Sequence, residues 1–358
     1  FTGPSPVHDL KVEYVGVTSA SLTWAVNDAA SSSYTYRIEV VNASPERNLT
    51  SNVTKAEITE LIPGTMYNFT VFAAVNDGQT EGEGVSISLY TKLSPVLDLK
   101  AEYVGVTSVN LIWVMNDTDS SSYTYRIEIV NGTSERNLTS NVTKAEITEL
   151  IPGTMYNFRV FAVANDGQME GEGVSISLYT RPSPVHDLKV EYVGVTSASL
   201  TWAVNDTASN SYTYRIEVVN GAPERNLTSD VTKAEITELI PGTMYNFTVF
   251  AVANDGQTEG EGVSTSLYTR PSPVHDLKVE YVGMTSVNIT WAVSNGDPSS
   301  YTYRIEVVNG TSERNLTSNV TEAEITELIP GTMYNFTVFA VLNDSQVEGE
   351  GVSTSLYT

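Results

Sequence analysis

The feature that most constrains this chain is a period. Glu60-Leu61-Ile62-Pro63-Gly64-Thr65-Met66-Tyr67-Asn68-Phe69 returns unchanged at 149–158, 238–247 and 327–336, a step of 89 residues each time. A lone tryptophan (Trp24, Trp113, Trp202, Trp291) precedes each copy by the same distance. The 358 residues therefore divide into four copies of one module, at 1–92, 93–181, 182–270 and 271–358. Solenoid repeats run to roughly 20–50 residues, so a unit this long is expected to hold its own core.

Within the first module, Leu10, Val12 and Tyr14 alternate with Lys11 and Glu13, and Ala20, Leu22 and Trp24 alternate with Ser21 and Thr23. That period of two marks half-buried strands. Asn27 to Ser33 is a polar turn region, and Tyr34, Tyr36, Ile38 and Val40 mark a third strand. Asn48 to Thr54 reads as a short polar edge strand, followed by Ala56 and Ile58. After the Pro-Gly corner, Tyr67, Phe69, Val71 and Ala73 form a long inward row. Asn76-Asp77-Gly78 predicts a hairpin, because Asn, Asp and Gly tolerate positive φ. Val85, Ile87 and Leu89 close the module. Seven short strands with no helical period predict an all-β fold, with four tandem seven-stranded antiparallel sandwiches.

The corner Leu61-Ile62-Pro63-Gly64-Thr65-Met66-Tyr67 resembles the tyrosine corner of fibronectin type III domains, in which the Tyr hydroxyl bonds to upstream backbone. The resemblance implies an immunoglobulin-like sandwich in an extended array. It assigns structural roles to Trp24 and Tyr67, and likewise to Trp113, Tyr156, Trp202, Tyr245, Trp291 and Tyr334. The run from Ser5 to Trp24, with Tyr34-Thr35-Tyr36-Arg37-Ile38, is similar to the ectodomain repeats of receptor protein-tyrosine phosphatases of the eta type. That family implies a string of glycosylated modules outside the cell and a phosphatase domain inside it. The phosphatase signature needs a nucleophilic cysteine, and this chain has none, so no enzyme is expected within the segment.

The net charge of −24, with only 19 Lys and Arg, argues against nucleic acid and anionic membrane as partners. No apolar run approaches the roughly 20 residues of a membrane span. Phe1-Thr2-Gly3-Pro4 lacks the basic start and apolar stretch of a signal peptide, and the chain reads as a piece of something longer. The junctions Thr91-Lys92-Leu93-Ser94-Pro95, Thr180-Arg181-Pro182-Ser183-Pro184 and Thr269-Arg270-Pro271-Ser272-Pro273 are short, and proline favours extended backbone there.

Asn-x-Ser/Thr occurs seventeen times, at Asn42, Asn48, Asn52, Asn68, Asn116, Asn131, Asn137, Asn141, Asn205, Asn226, Asn246, Asn288, Asn309, Asn315, Asn319, Asn335 and Asn343. One such tripeptide is weak evidence, but recurrence at equivalent positions makes these expected N-glycosylation sites in an extracellular setting. Asn48 and Asn52, four apart on an edge strand, are expected to face the same way. Asn68 alternates with inward Tyr67 and Phe69. Arg159 removes the acceptor after Asn157, Asp230 replaces one asparagine of module three, and Pro45 makes Asn42 a poorer acceptor.

Other chemistry finds little support. The acidic stretch Asn76 to Gly84 lacks the Asp-x-Asx-x-Asx-Gly spacing of a calcium loop. His8, His186 and His275 stand one per module, with Leu97 in module two, so junction packing outweighs zinc. No cofactor is expected. Phe72, Phe161, Phe250 and Phe339 fall on the outward phase of their strand and are candidate assembly contacts. The reading is a non-catalytic extracellular stalk with spacing and adhesive or ligand contacts, its partners being N-linked glycans and a protein ligand or other copies of the chain. The alternative is a secreted glycoprotein whose repeats polymerise into filaments through a contact that does not close.

Overall fold

The computed structural model describes residues 3–29, 33–42, 46–75, 80–116, 123–165, 167, 169–220, 224–294 and 297–358. The Asn76-Asp77-Gly78 hairpin lies outside them. In module one the strands are β1 (His8–Val15), β2 (Ala20–Ala25), β3 (Tyr34–Val41), β4 (Arg47–Ser51), β5 (Lys55–Ile58), β6 (Met66–Val75) and β7 (Val85–Tyr90). The same seven recur from β8 (Leu97–Val104) to β14 (Val174–Tyr179), from β15 (His186–Val193) to β21 (Val263–Tyr268), and from β22 (His275–Gly283) to β28 (Val352–Tyr357). Among the described residues helix is confined to three-residue 3-10 turns such as Ser209–Ser211 and Pro298–Ser300.

Each module is two antiparallel sheets, ordered β1-β2-β5 and β4-β3-β6-β7 in the first. The period-two pattern has done this: β6 buries Tyr67, Phe69, Val71 and Ala73, β3 buries Tyr36, Ile38 and Val40, and β2 buries Leu22 and Trp24 between the sheets. Trp24 meets Tyr36 edge-on with centroids 5.2 Å apart, and the three other modules repeat that pair. Such a contact adds about 0.5–1.5 kcal/mol beyond area burial.

The chain divides into two units, residues 1–150 with 155–180, and residues 151–154 with 181–358. Two residues read as linker prove to be structural. Thr91 is fully buried: the backbone N–H of Thr65 donates to its Oγ1 at 3.0 Å, and the same hydroxyl donates to the Ile62 carbonyl at 2.6 Å. Leu93 is buried in the core of module two. Its Cδ2 lies 2.6 Å from where a Cβ on Gly64 would stand. Gly64 also holds φ at 60°, so the corner glycine is required twice over.

Candidate functional site

The tyrosine corner forms as the sequence implies. The backbone N–H of Ile62 donates to the Tyr67 phenol oxygen at 2.9 Å, and Ile240 to Tyr245 and Ile329 to Tyr334 repeat it at 2.9 and 3.1 Å. The corner carries a feature that sequence reading missed: Glu60, Glu149, Glu238 and Glu327 all sit at positive φ, between 57° and 61°. A glutamate gives no sign of a left-handed conformation.

The outer face of the four-stranded sheet gathers most of the remaining candidates. Arg37 on β3 lies over the Phe72 ring of β6, its Cζ 4.0 Å from the centroid. Its Nε and Nη2 each donate to Glu81 at 2.8 Å, and its Nη1 donates to Asn48 Oδ1 at 2.9 Å. The other edge of that phenyl rests on Gly84, where an added Cβ would come within 2.5 Å of Phe72 Cε1. Asn48, Arg37, Phe72 and Gly84 thus form a row across β4, β3 and β6 to the start of β7. Arg126, Arg215 and Arg304 cover Phe161, Phe250 and Phe339 in the same manner. The four phenylalanines are outward-facing, as alternation requires, but none is bare: Phe161 is buried and the others are half-buried. The signal was present in sequence, since a cross-strand arginine and a glycine accompany each one. Hydrogen bonds from Arg37 hold Glu81 below the usual carboxylate range, and Arg126 does the same to Glu170.

This row also orients a sequon. With Oδ1 accepting from arginine, Nδ2 of Asn48, the atom that a glycan would take, makes no bond among the described residues. Asn137, Asn226 and Asn315 accept from Arg126, Arg215 and Arg304 at 2.7–2.8 Å, and all four asparagines are exposed. Asn52, Asn141 and Asn319 are exposed too, but Asn52 lies past the end of β4, in a turn pinned by bonds from Ser51 Oγ to the Val53 and Lys55 carbonyls. The expectation that it shares a strand face with Asn48 is corrected accordingly. Asn68 and Asn246 are half-buried and Asn335 exposed, and each accepts from a serine of the last strand (Ser88, Ser266, Ser355) at 3.1 Å.

Asn205 and Asn116 are exposed, and Asn131 and Asn288 half-buried; Thr118, the acceptor partner of Asn116, lies outside the described residues, as does Ser44 of the Asn42 sequon. Asn315 Nδ2 donates weakly to Glu313 at 3.5 Å, and three further attachment nitrogens are engaged more closely. Asn42 Nδ2 donates to the Met66 carbonyl at 2.7 Å, Asn309 Nδ2 to Tyr334 Oη at 3.2 Å, and Asn343 Nδ2 to the Ser299 carbonyl at 3.0 Å.

Each histidine turns to its neighbour. Nδ1 of His8, His186 and His275 lies 2.9–3.0 Å from Asp9, Asp187 and Asp276, aspartates held at positive φ. No group of three or more His, Cys, Asp or Glu suited to a metal occurs among the described residues. No helix in the described residues is long and apolar enough to cross a membrane.

Comparison with known proteins agrees with this geometry. The fibronectin type III domain profile matches residues 5–88, 94–177, 183–266 and 272–354. The chain is 67% identical over its whole length to the receptor-type tyrosine-protein phosphatase eta of Gallus gallus, of which it covers 26%. It is 32% identical over 96% of its length to the Homo sapiens protein of the same name, covering 25% of it. Tenascin-R of Homo sapiens is 26% identical over 85% of this chain and 22% of its own. The chain thus spans about a quarter of these relatives' length. A two-domain fibronectin type III segment from chicken tenascin superposes with a TM-score of 0.37 at 22% identity, over 49% of this chain and 99% of its own.

Proposed function

The chain belongs to the fibronectin type III domain family, and from that premise we propose that it is the non-catalytic, N-glycosylated extracellular stalk of a cell-surface receptor of the phosphatase eta kind. Domains of this family fill residues 5–354 but for the short junctions, so any catalytic domain of the parent protein lies elsewhere in it. The stalk would space the ligand-binding and membrane-proximal parts of the receptor and present surfaces to an extracellular protein.

The observation that carries the glycan reading is the repeated Arg–Asn bond. Four times an edge-strand sequon is exposed with its amide oxygen fixed by arginine, and at Asn48, Asn137 and Asn226 the nitrogen makes no bond among the described residues, while Asn315 Nδ2 reaches Glu313 at 3.5 Å. Sugars there would cover β4 and its counterparts, the kind of edge that otherwise recruits foreign strands. Bare phenylalanines would have favoured the filament alternative, and the guanidinium over each ring gives it no such support. The reading is tested by displaying the full-length parent protein on cells and probing with an antibody to these modules without permeabilisation. Surface staining that shifts in apparent mass after N-glycan removal is the expected result. Staining only after permeabilisation would reject the stalk.

A further inference from the structure

Each sandwich has four sheet edges, and three of them are guarded. β1 breaks register against β2 twice, between His8 and Lys11 and between Val12 and Tyr14, and exposes Lys11 and Glu13. β5 is four residues long and offers Lys55 and Glu57. β4 holds the Asn48 sequon. The fourth edge, β7, is Val85-Ser86-Ile87-Ser88-Leu89-Tyr90, with no charge, no proline and no register break against β6. A strand of this composition is an open template for another strand. In modules one, three and four a sequon stands on the adjacent strand, at Asn68, Asn246 and Asn335, bonded to a serine of that edge. Module two departs from this pattern. Arg159 replaces the threonine, so Asn157 is not a sequon and no sugar can stand beside β14.

We propose that β14 of module two is a dimerisation edge, to which β14 of a second copy of this chain adds antiparallel. Among the described residues β14 pairs with β13 (Met155–Ala164) alone, and its outward residues Ser175 and Ser177 are exposed and small. The edge is its own complement. A two-fold axis through Ile176 sets Ser175 opposite Ser177 of the second copy and Val174 opposite Leu178 of the second copy, with every side chain keeping its face. Charge also favours this site over its three counterparts. Arg159 is exposed and directly opposite Ser175 in the ladder; its guanidinium lies 4.9 Å from the Phe161 ring centroid and acts on Glu170 through space, but no carboxylate is within 4 Å of it among the described residues. A chain of net charge −24 repels its own copy, and an arginine from each side of the seam relieves that where Thr70, Thr248 and Thr337 do not. Because the contact is isologous it closes after two chains and gives a dimer, not a filament. The glycan reading enters only in explaining why the other three edges stay unpaired.

Sedimentation equilibrium on the 358-residue chain, secreted from glycosylating cells, tests this. A reversible monomer–dimer equilibrium is expected, and a chain still monomeric at roughly 100 μM, where a weak specific contact would show, overturns the proposal. Arg159→Thr restores the sequence that the other three modules carry, so it is expected to fold, and it creates a sequon at Asn157. Dimer affinity should fall at least ~10-fold. Ser177→Lys guards the edge without any sugar and should produce a similar loss. Dimerisation unchanged by Ser177→Lys rules the edge out, whatever the sugars do. A sugar missing from Asn157 in the Arg159→Thr protein counts against the glycan reading alone, and the Ser177→Lys result then decides the edge.

Discussion

Tyr67 does two jobs at once: its ring is part of the core, and its oxygen satisfies the Ile62 N–H where the chain turns. Tyr67→Phe keeps the ring and orphans that donor, a cost of about 1–3 kcal/mol. In urea denaturation of the chain, one module in four should unfold early, and a superimposable curve would show that the bond contributes nothing. Gly84→Ala should cost a similar ~1–3 kcal/mol, because its Cβ would enter the Phe72 ring and the Thr70 methyl; adding Phe72→Ser, which relieves one of the two clashes, should recover part of the loss. The tyrosine corner was legible through its resemblance to the fibronectin type III pattern, carried by Pro63, Gly64 and Tyr67. The left-handed Glu60 was not, since nothing in a glutamate asks for φ of 57°, and only the surrounding fold imposes it.

At the scale of strands, alternation gave both sheets and the inward rows, because a side chain's face follows from counting by two. It could not show how β1 breaks register, nor that Thr91 and Leu93, which read as linker, lock the corner and enter the next core. Those depend on partners far along the chain. The Arg37 row is likewise a cross-strand fact, and it makes a pH prediction. Glu81 and Glu170 are held below the ordinary carboxylate range by their arginines. Their contribution to stability is therefore complete above the unfolded carboxylate range and is lost as pH falls through it toward the folded values. Glu81→Gln should lower neutral-pH stability modestly, as befits a partly solvent-screened pair, and flatten the acid limb of the stability-against-pH curve for module one by that same amount, the two proteins converging at low pH. An unaltered acid limb would place the sensitivity in other carboxylates.

For the whole molecule, near-identity of the modules is what makes the exceptions informative. Four copies carry one fold and one arginine-fixed sequon, and module two alone gives up the sequon beside its last strand. The tandem organisation was fully legible from the period, whereas the quality of each glycan site was not, because it turns on which amide atom is already bonded. The central claim is a glycosylated stalk, and site-resolved glycopeptide mass spectrometry of the secreted chain tests it most directly. The account predicts high occupancy at Asn48, Asn137 and Asn226, with low occupancy at Asn42, Asn309 and Asn343, whose Nδ2 atoms are engaged. Bare asparagines at those three arginine-held positions would contradict it.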